Sequence, residues 1–145
     1  MIALQDNSSA VVAPGIYPML YAFFDDRGVL RQDPFRRQVD AALGTQAAGV
    51  AILGLGTEVS KLTFDERVEV LEVVAKRIDG CKPLLVTVYG DTITEQIEFS
   101  KRAIQSGVSA LMLQPPSQKM DDAKLAGFFS EIISAVDCPV GIQNA

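Results

Sequence analysis

The chain has 145 residues, 48% of them hydrophobic and 21% charged, with a net charge of −5 and no histidine. That length suits one modest globular unit, the acidic balance without a basic block argues against nucleic acid or an anionic membrane as partner, and the missing histidine removes the commonest general base and metal ligand. No apolar run approaches the roughly 18 residues of a membrane-spanning helix, and residues 1–13 lack the charged start and apolar core of a signal peptide, so a cytoplasmic protein is expected.

Residues 1–13 show no periodicity and read as an N-terminal arm, leaving 14–145 as the folded part. Residues 15–24, rich in aromatic and aliphatic side chains, predict a strand closed by the turn Asp25-Asp26-Arg27-Gly28. Asp33 as cap and Pro34 as first helical residue open a helix with Phe35, Val39, Ala42 and Leu43 on one face, ending near Gly49. Residues 50–53 form a short run apolar on both faces, as buried parallel strands are.

The segment Gly54-Leu55-Gly56-Thr57-Glu58 follows as a glycine-rich turn between a strand and a helix start. Glycines there let the backbone approach a ligand and expose N–H groups, so an anion can be held without a basic side chain. Thr63 and Glu66 then make a capping box for a helix whose Phe64, Val68, Leu71, Ala75 and Ile78 recur at helical spacing and read as packing. Residues 83–89 predict a strand ending at Tyr89, and Thr92 with Glu95 a second capping box on a helix that stops near Ser106-Gly107. Residues 108–114 predict a strand ended by Pro115-Pro116; Asp121 or Asp122 caps a helix carrying Leu125, Phe128, Phe129, Ile132, Ile133 and Val136; residues 139–143 begin a last strand. Cys81 and Cys138 are too few and too far apart for a disulfide framework or a metal cluster, and are expected to be small buried or loop residues.

Strand and helix thus alternate with a period of about thirty residues, the signature of parallel strands joined by right-handed crossovers. An open doubly wound sheet and part of a (β/α)8 barrel both fit. A domain closing on an uncovered strand would leave a sheet face and an edge exposed. The expectation is therefore an α/β protein of which this chain is the first half of a barrel, four βα units and strand five.

With these residues in view, the block at 54–58 followed by Leu62-Thr63, Pro115 after the fourth strand and Pro139 to Asn144 on the fifth resemble the dihydrodipicolinate synthase and N-acetylneuraminate lyase family. The resemblance implies a TIM barrel and a lyase, an aldolase or dehydratase, forming a lysine Schiff base with pyruvate or another 2-keto acid. It further implies no metal or cofactor, a homo-dimer or homo-tetramer, and a Schiff-base lysine on a sixth strand beyond Ala145. Lys61, Lys76, Lys82, Lys101, Lys119 and Lys124 are expected on solvated loops or helix faces.

Carried over by position, the amides of Leu55, Gly56 and Thr57 are expected to bind the substrate carboxylate, with Gly54 and Glu58 shaping the loop and Glu58 bonding backbone within it. Where the family commonly has Gly-Thr-Thr-Gly-Glu, Leu55 and Gly56 take the threonine positions; Pro116-Ser117 stand in place of a tyrosine pair, and Ala22-Phe23-Phe24 in place of Thr-Pro-Phe. Gln143 occupies the position of the fifth-strand catalytic tyrosine. An amide neither gains nor loses a proton near neutral pH, so Gln143 is expected to hydrogen-bond a substrate hydroxyl or carbonyl, and Tyr89 is the nearest phenol available to replace the missing one. The amide is similar to the dehydratase branch acting on 2-keto-3-deoxy sugar acids. The same lost hydroxyls suit a second expectation, a catalytically silent relative that binds a keto acid as a sensor or serves as an assembly subunit.

Overall fold

Four strands define the molecule: β1 (Val50–Ile52), β2 (Leu84–Val88), β3 (Ala110–Leu113) and β4 (Val140–Ile142), lying side by side in sequence order and all parallel. The computed structural model describes residues 12–143; most of the expected arm, and Asn144, lie outside them. Helices α1 (Gln32–Leu43), α2 (Phe64–Ile78), α3 (Ile93–Gln105) and α4 (Asp122–Ser134) separate the strands. None of these helices is long and apolar enough to cross a membrane.

Because partners in a ladder share a face, the register sorts the strands into two surfaces. Val86 pairs with Leu111, and Val88 with Leu113 and so with Ile142; apart from Ile142 these side chains are buried in the core beside Phe35, Val70, Leu71 and Phe99. Each such burial stabilises the fold by about 1.5–3 kcal/mol. The opposite surface carries Ala51 and Leu85, then Thr87, Met112 and Gly141 in register. Alternation continues it to Gln114 and Gln143 at the carboxyl ends of β3 and β4.

The strand expected over residues 15–24 is reduced to a single bridge, Met19 to Ala51. Its neighbours do follow β1, with Ala51 N–H donating to the Pro18 carbonyl (3.0 Å) and Leu20 N–H to the Ala51 carbonyl (2.9 Å). Pro18 has no N–H to give to the ladder, which breaks its regularity. Beyond Leu20 the chain leaves β1, and the Gln38 side chain of α1 takes over, bonding both the N–H (2.8 Å) and the carbonyl (3.0 Å) of Tyr21. The turn at 25–28 forms as expected, closed by the Asp25 carboxylate on the Arg27 and Val29 amides.

Helix α1 differs from expectation at both ends. Its cap position is Arg31, Asp33 lies inside the first turn and pairs with Arg36 at 2.8 Å, and it stops at Leu43. The early stop has a cause. The Thr45 hydroxyl bonds the Ala42 carbonyl (2.8 Å), and the Lys82 ammonium gathers the carbonyls of Ala42, Thr45 and Ala47 at 2.7–3.2 Å. A cation at a helix C-terminus is favoured by the aligned peptide dipoles. Lys82 is therefore a clasp rather than the solvated side chain expected of it. Gly49 is instead where the chain enters β1: a Cβ there would lie 2.2 Å from the Tyr17 ring and 2.5 Å from the Pro83 carbonyl oxygen.

The remaining helices start close to where the sequence places them. Thr63 and Glu66 close a full capping box on α2, and the Asp121 carboxylate caps α4 through the Lys124 amide at 2.9 Å. Gly107, at φ 82°, follows α3. On α4 Ile133 is 40% exposed while Phe128, Phe129 and Ile132 are buried. Cys81 is exposed and Cys138 half-buried, both as thiols.

Candidate functional site

At the carboxyl end of β1 the chain leaves the ladder through Leu53, a fully buried residue held at φ 61°. A left-handed conformation at a residue other than glycine costs about 1–3 kcal/mol and persists only where the surroundings enforce it. Gly54 follows, its N–H donating to the Met19 thioether sulfur at 3.3 Å. A Cβ on Gly54 would fall 2.3 Å from the Met19 methyl, so a larger residue would drive Met19 away.

Leu55–Thr57 then makes one 3-10 turn, closed by Thr57 N–H on the Gly54 carbonyl and Glu58 N–H on the Leu55 carbonyl, both 3.0 Å. The first amides of such a turn have no carbonyl within it to bond. Those of Leu55 and Gly56 make no backbone hydrogen bond among the described residues. Thr57 is different, since its hydroxyl donates to the Leu20 carbonyl at 2.6 Å and the residue is 2% exposed. Of the three amides expected to bind a carboxylate, Thr57 is thus committed internally, and Leu55 and Gly56 remain available. Glu58 shapes the loop through its backbone, at φ 56°, and its carboxylate pairs with exposed Lys61 (2.5 Å) rather than with loop amides.

The end of β2 is built around a residue that sequence reasoning passed over. Arg67 of α2 is 5% exposed. Its guanidinium donates to the Tyr89 carbonyl, to the Thr63 carbonyl at 3.3 Å and to Glu95 at 2.6 Å. The Phe64, Tyr89 and Phe99 rings surround it at 5.6–5.9 Å from their centroids. Tyr89, expected as a substitute phenol, thus has its ring packed against this cation and the core. Glu95 is drawn to Arg67, so the second capping box is only half made: the Thr92 hydroxyl accepts from the Glu95 amide at 3.1 Å, and no return bond forms. Nearby, the Asp91 carboxyl is held below its usual range, first by the Ser117 hydroxyl and then by the Ser117 amide, whose N–H lies 2.8 Å away. Arg67 had a sequence signature: it stands on the same helical stripe as Val70, Leu71, Val74 and Ile78, the buried line of α2.

The ends of β3 and β4 carry amides. Gln114 and Gln143 are next in register after Leu113 and Ile142, and the Gln114 Nε2 donates to Gln143 Oε1 at 3.4 Å. Behind them, fully buried Gln96 of α3 donates to the carbonyls of Gly90 (2.9 Å) and Gln114 (3.0 Å), tying the loop after β2 to the end of β3. Neither Gln96 nor Gln114 stood out in the sequence, because a glutamine on a helix or at a strand end has no motif of its own.

These groups, the Leu55–Gly56 amides and the Gln114–Gln143 pair, all lie at the carboxyl end of a parallel sheet, where loops of strand–helix folds gather their ligands. Among the described residues no three His, Cys, Asp or Glu side chains group as metal ligands. The face offers neutral donors and acceptors suited to an anionic, oxygen-rich small molecule. Lys82, the most enclosed lysine, precedes β2 and sits at the opposite end of the sheet.

A sequence profile of the dihydrodipicolinate synthetase family matches residues 13–145. The chain is 30% identical over 118 residues to the 4-hydroxy-tetrahydrodipicolinate synthase of Pelobacter propionicus, covering 81% of this chain and 41% of that one. It is 27% identical over 143 residues to the L-2-keto-3-deoxyarabonate dehydratase of Azospirillum brasilense, covering 96% of this chain and 46% of that one. Among solved structures, YagE of Escherichia coli in complex with pyruvate superposes with a TM-score of 0.85 at 27% identity, over 90% of this chain and 44% of that one. The chain spans less than half the length of these relatives. The structural neighbours are TIM barrels, and the parallel strand–helix units described above match their N-terminal half. The chain belongs to the dihydrodipicolinate synthetase family.

Proposed function

We propose that this chain forms the N-terminal half of a lyase that binds a 2-keto acid as a lysine Schiff base, the lysine lying on a sixth strand outside residues 1–145. The observation that carries this reading is the pair of unbonded amides at Leu55 and Gly56 on the carboxyl end of β1. Two neighbouring unbonded N–H groups at the start of a 3-10 turn suit a carboxylate, and charge-assisted bonds of this kind are stronger than neutral ones. With the carboxylate held there, the lysine amine attacks the C2 carbonyl, water leaves, and the resulting imine accepts the electron pair released when a carbon–carbon or carbon–oxygen bond breaks. Gln143 hydrogen-bonds a substrate oxygen without exchanging its proton. The relatives include proteins named as synthase, aldolase and dehydratase, which supports the reaction class and leaves the substrate to be found.

A second reading is a catalytically silent relative that binds a keto acid. The amide of Gln143 at the position where a proton-transferring phenol would be expected favours it, since that side chain neither gains nor loses a proton near neutral pH.

The test is intact-mass spectrometry of the protein from its natural source after borohydride reduction with pyruvate, and separately with a 2-keto-3-deoxy sugar acid. A covalent adduct establishes the imine, and the preferred adduct names the substrate branch. Full-length protein with no adduct sinks the lyase reading in favour of the silent one.

A further inference from the structure

We infer that Gln114 fixes the Gln143 amide and joins it in recognition, the two side chains together forming a neutral hydroxyl-recognition site at the ends of β3 and β4. The inference rests on the keto-acid reading and names the substrate class more closely, a 2-keto acid carrying hydroxyl groups near the reacting carbon.

Gln114 is itself held on three sides. Its N–H donates to the Val88 carbonyl at 3.0 Å, its carbonyl accepts from Gln96 at 3.0 Å, and the residue is 6% exposed. Gln96 has no freedom to release it, being 0% exposed and bonded also to Gly90. Gln143 is half-buried, and its backbone N–H is anchored on the Leu113 carbonyl at 2.9 Å, in register with Gln114. An unpaired glutamine side chain keeps several rotamers, and ordering one costs conformational entropy. The contact from Gln114 Nε2 to Gln143 Oε1 meets part of that cost before substrate arrives.

The chemistry follows from the inventory of an amide. One carbonyl accepts and one NH2 donates. With the Gln143 side-chain oxygen engaged by Gln114, its NH2 is left to donate, while the side-chain Oε1 of Gln114, unlike its backbone carbonyl, is left to accept. A donor beside an acceptor on adjacent strands complements a hydroxyl, which both gives and takes a hydrogen bond. Unsubstituted pyruvate has no hydroxyl to offer. A site built to bond a hydroxyl discriminates against a ligand lacking it, because its own polar groups are then left unpaired.

The experiment compares KM and kcat for pyruvate exchange and for cleavage of a 2-keto-3-deoxy sugar acid in the full chain, with Gln114→Leu, Gln114→Glu, Gln143→Leu and the Gln114→Leu/Gln143→Leu double variant. Gln114→Leu is expected to raise KM for the hydroxylated substrate about tenfold more than KM for pyruvate, with kcat less affected. On a Gln143→Leu background the same change should cost less than it does alone, since the two amides orient one another for the same hydroxyl. Gln114→Glu keeps length and polarity should the leucine variant fail to fold. As a carboxylate it can only accept, so it turns the Gln143 amide around, and KM for the hydroxylated substrate should acquire a carboxyl-range pH dependence that pyruvate does not share. Equal effects on both substrates, or additive effects of the two leucine changes, overturn the inference while leaving the lyase reading intact. Failure of the parent protein to form a borohydride-trapped adduct with either substrate overturns both.

Discussion

Two loops of this molecule do the same topological task and have different fates. The loop from β1 to α2 and the loop from β2 to α3 each carry the chain from a parallel strand to a helix opened by Thr-x-x-Glu, Thr63 with Glu66 and Thr92 with Glu95. In the first, the capping box closes on itself and the amides of Leu55 and Gly56 stay unbonded. In the second, Glu95 leaves its box for Arg67, the Tyr89 carbonyl takes the same guanidinium, and Asp91 binds Ser117. A buried cation must be paired, and that need outranks a helix cap worth about 1 kcal/mol. The first loop is therefore the one with donors left for a ligand, and the second is a clamp.

The comparison is broken most severely at Arg67. Arg67→Ala should remove about 3–5 kcal/mol, because it strands Glu95 and the Tyr89 carbonyl and opens a cavity among three aromatic rings. Urea unfolding of the variant, with its slope unchanged, measures it. Leu55→Pro addresses the other loop. Proline suits the first residue of a helical turn and removes one N–H, so the fold should survive while KM for a 2-keto acid rises about tenfold or more, the worth of a hydrogen bond to a charged group. Unchanged KM in a folded Leu55→Pro variant would mean the turn holds nothing.

Smaller effects sharpen the contrast. Thr63→Ala should cost about 1 kcal/mol, and Thr92→Ala less, since only Thr63 participates in a closed box. Asp91 gives the clamp its pH dependence. Its carboxyl is lowered in the folded state by Ser117, so its contribution is whole above the usual carboxylate range and is lost as pH falls through the lowered folded value. Asp91→Asn should flatten that part of the acid-unfolding profile, its loss of stability showing at neutral pH and vanishing at low pH, where the native carboxyl is itself protonated.

Much of the architecture was legible because it depends on local rules. The Thr63 box, the Asp121 cap and the strand–helix alternation rest on short-range spacing that any neighbour can satisfy. The strand at 15–24 failed because apolar composition says nothing of a missing N–H at Pro18 or of the Gln38 side chain 17 residues from Tyr21 in sequence. The end of α1 failed for the same kind of reason, since it is set by Lys82 from 40 residues beyond Ala42. In the site, the glycine turn at Leu55 and Gly56 was legible in the sequence, whereas Thr57, expected beside them as a third binding amide, gives its N–H to the Gly54 carbonyl and its hydroxyl to the Leu20 carbonyl across the fold. Gln143 could be named from its place after a strand; its partner Gln114 emerges only once the register of β3 and β4 is known.

The most direct measurement is a crystal structure of the full chain after borohydride reduction in the presence of pyruvate. The account expects the ligand carboxylate at the carboxyl end of β1, its oxygens about 2.7–3.2 Å from the Leu55 and Gly56 nitrogens. A trapped ligand whose carboxylate lies elsewhere, with those two amides still facing only solvent, would contradict it.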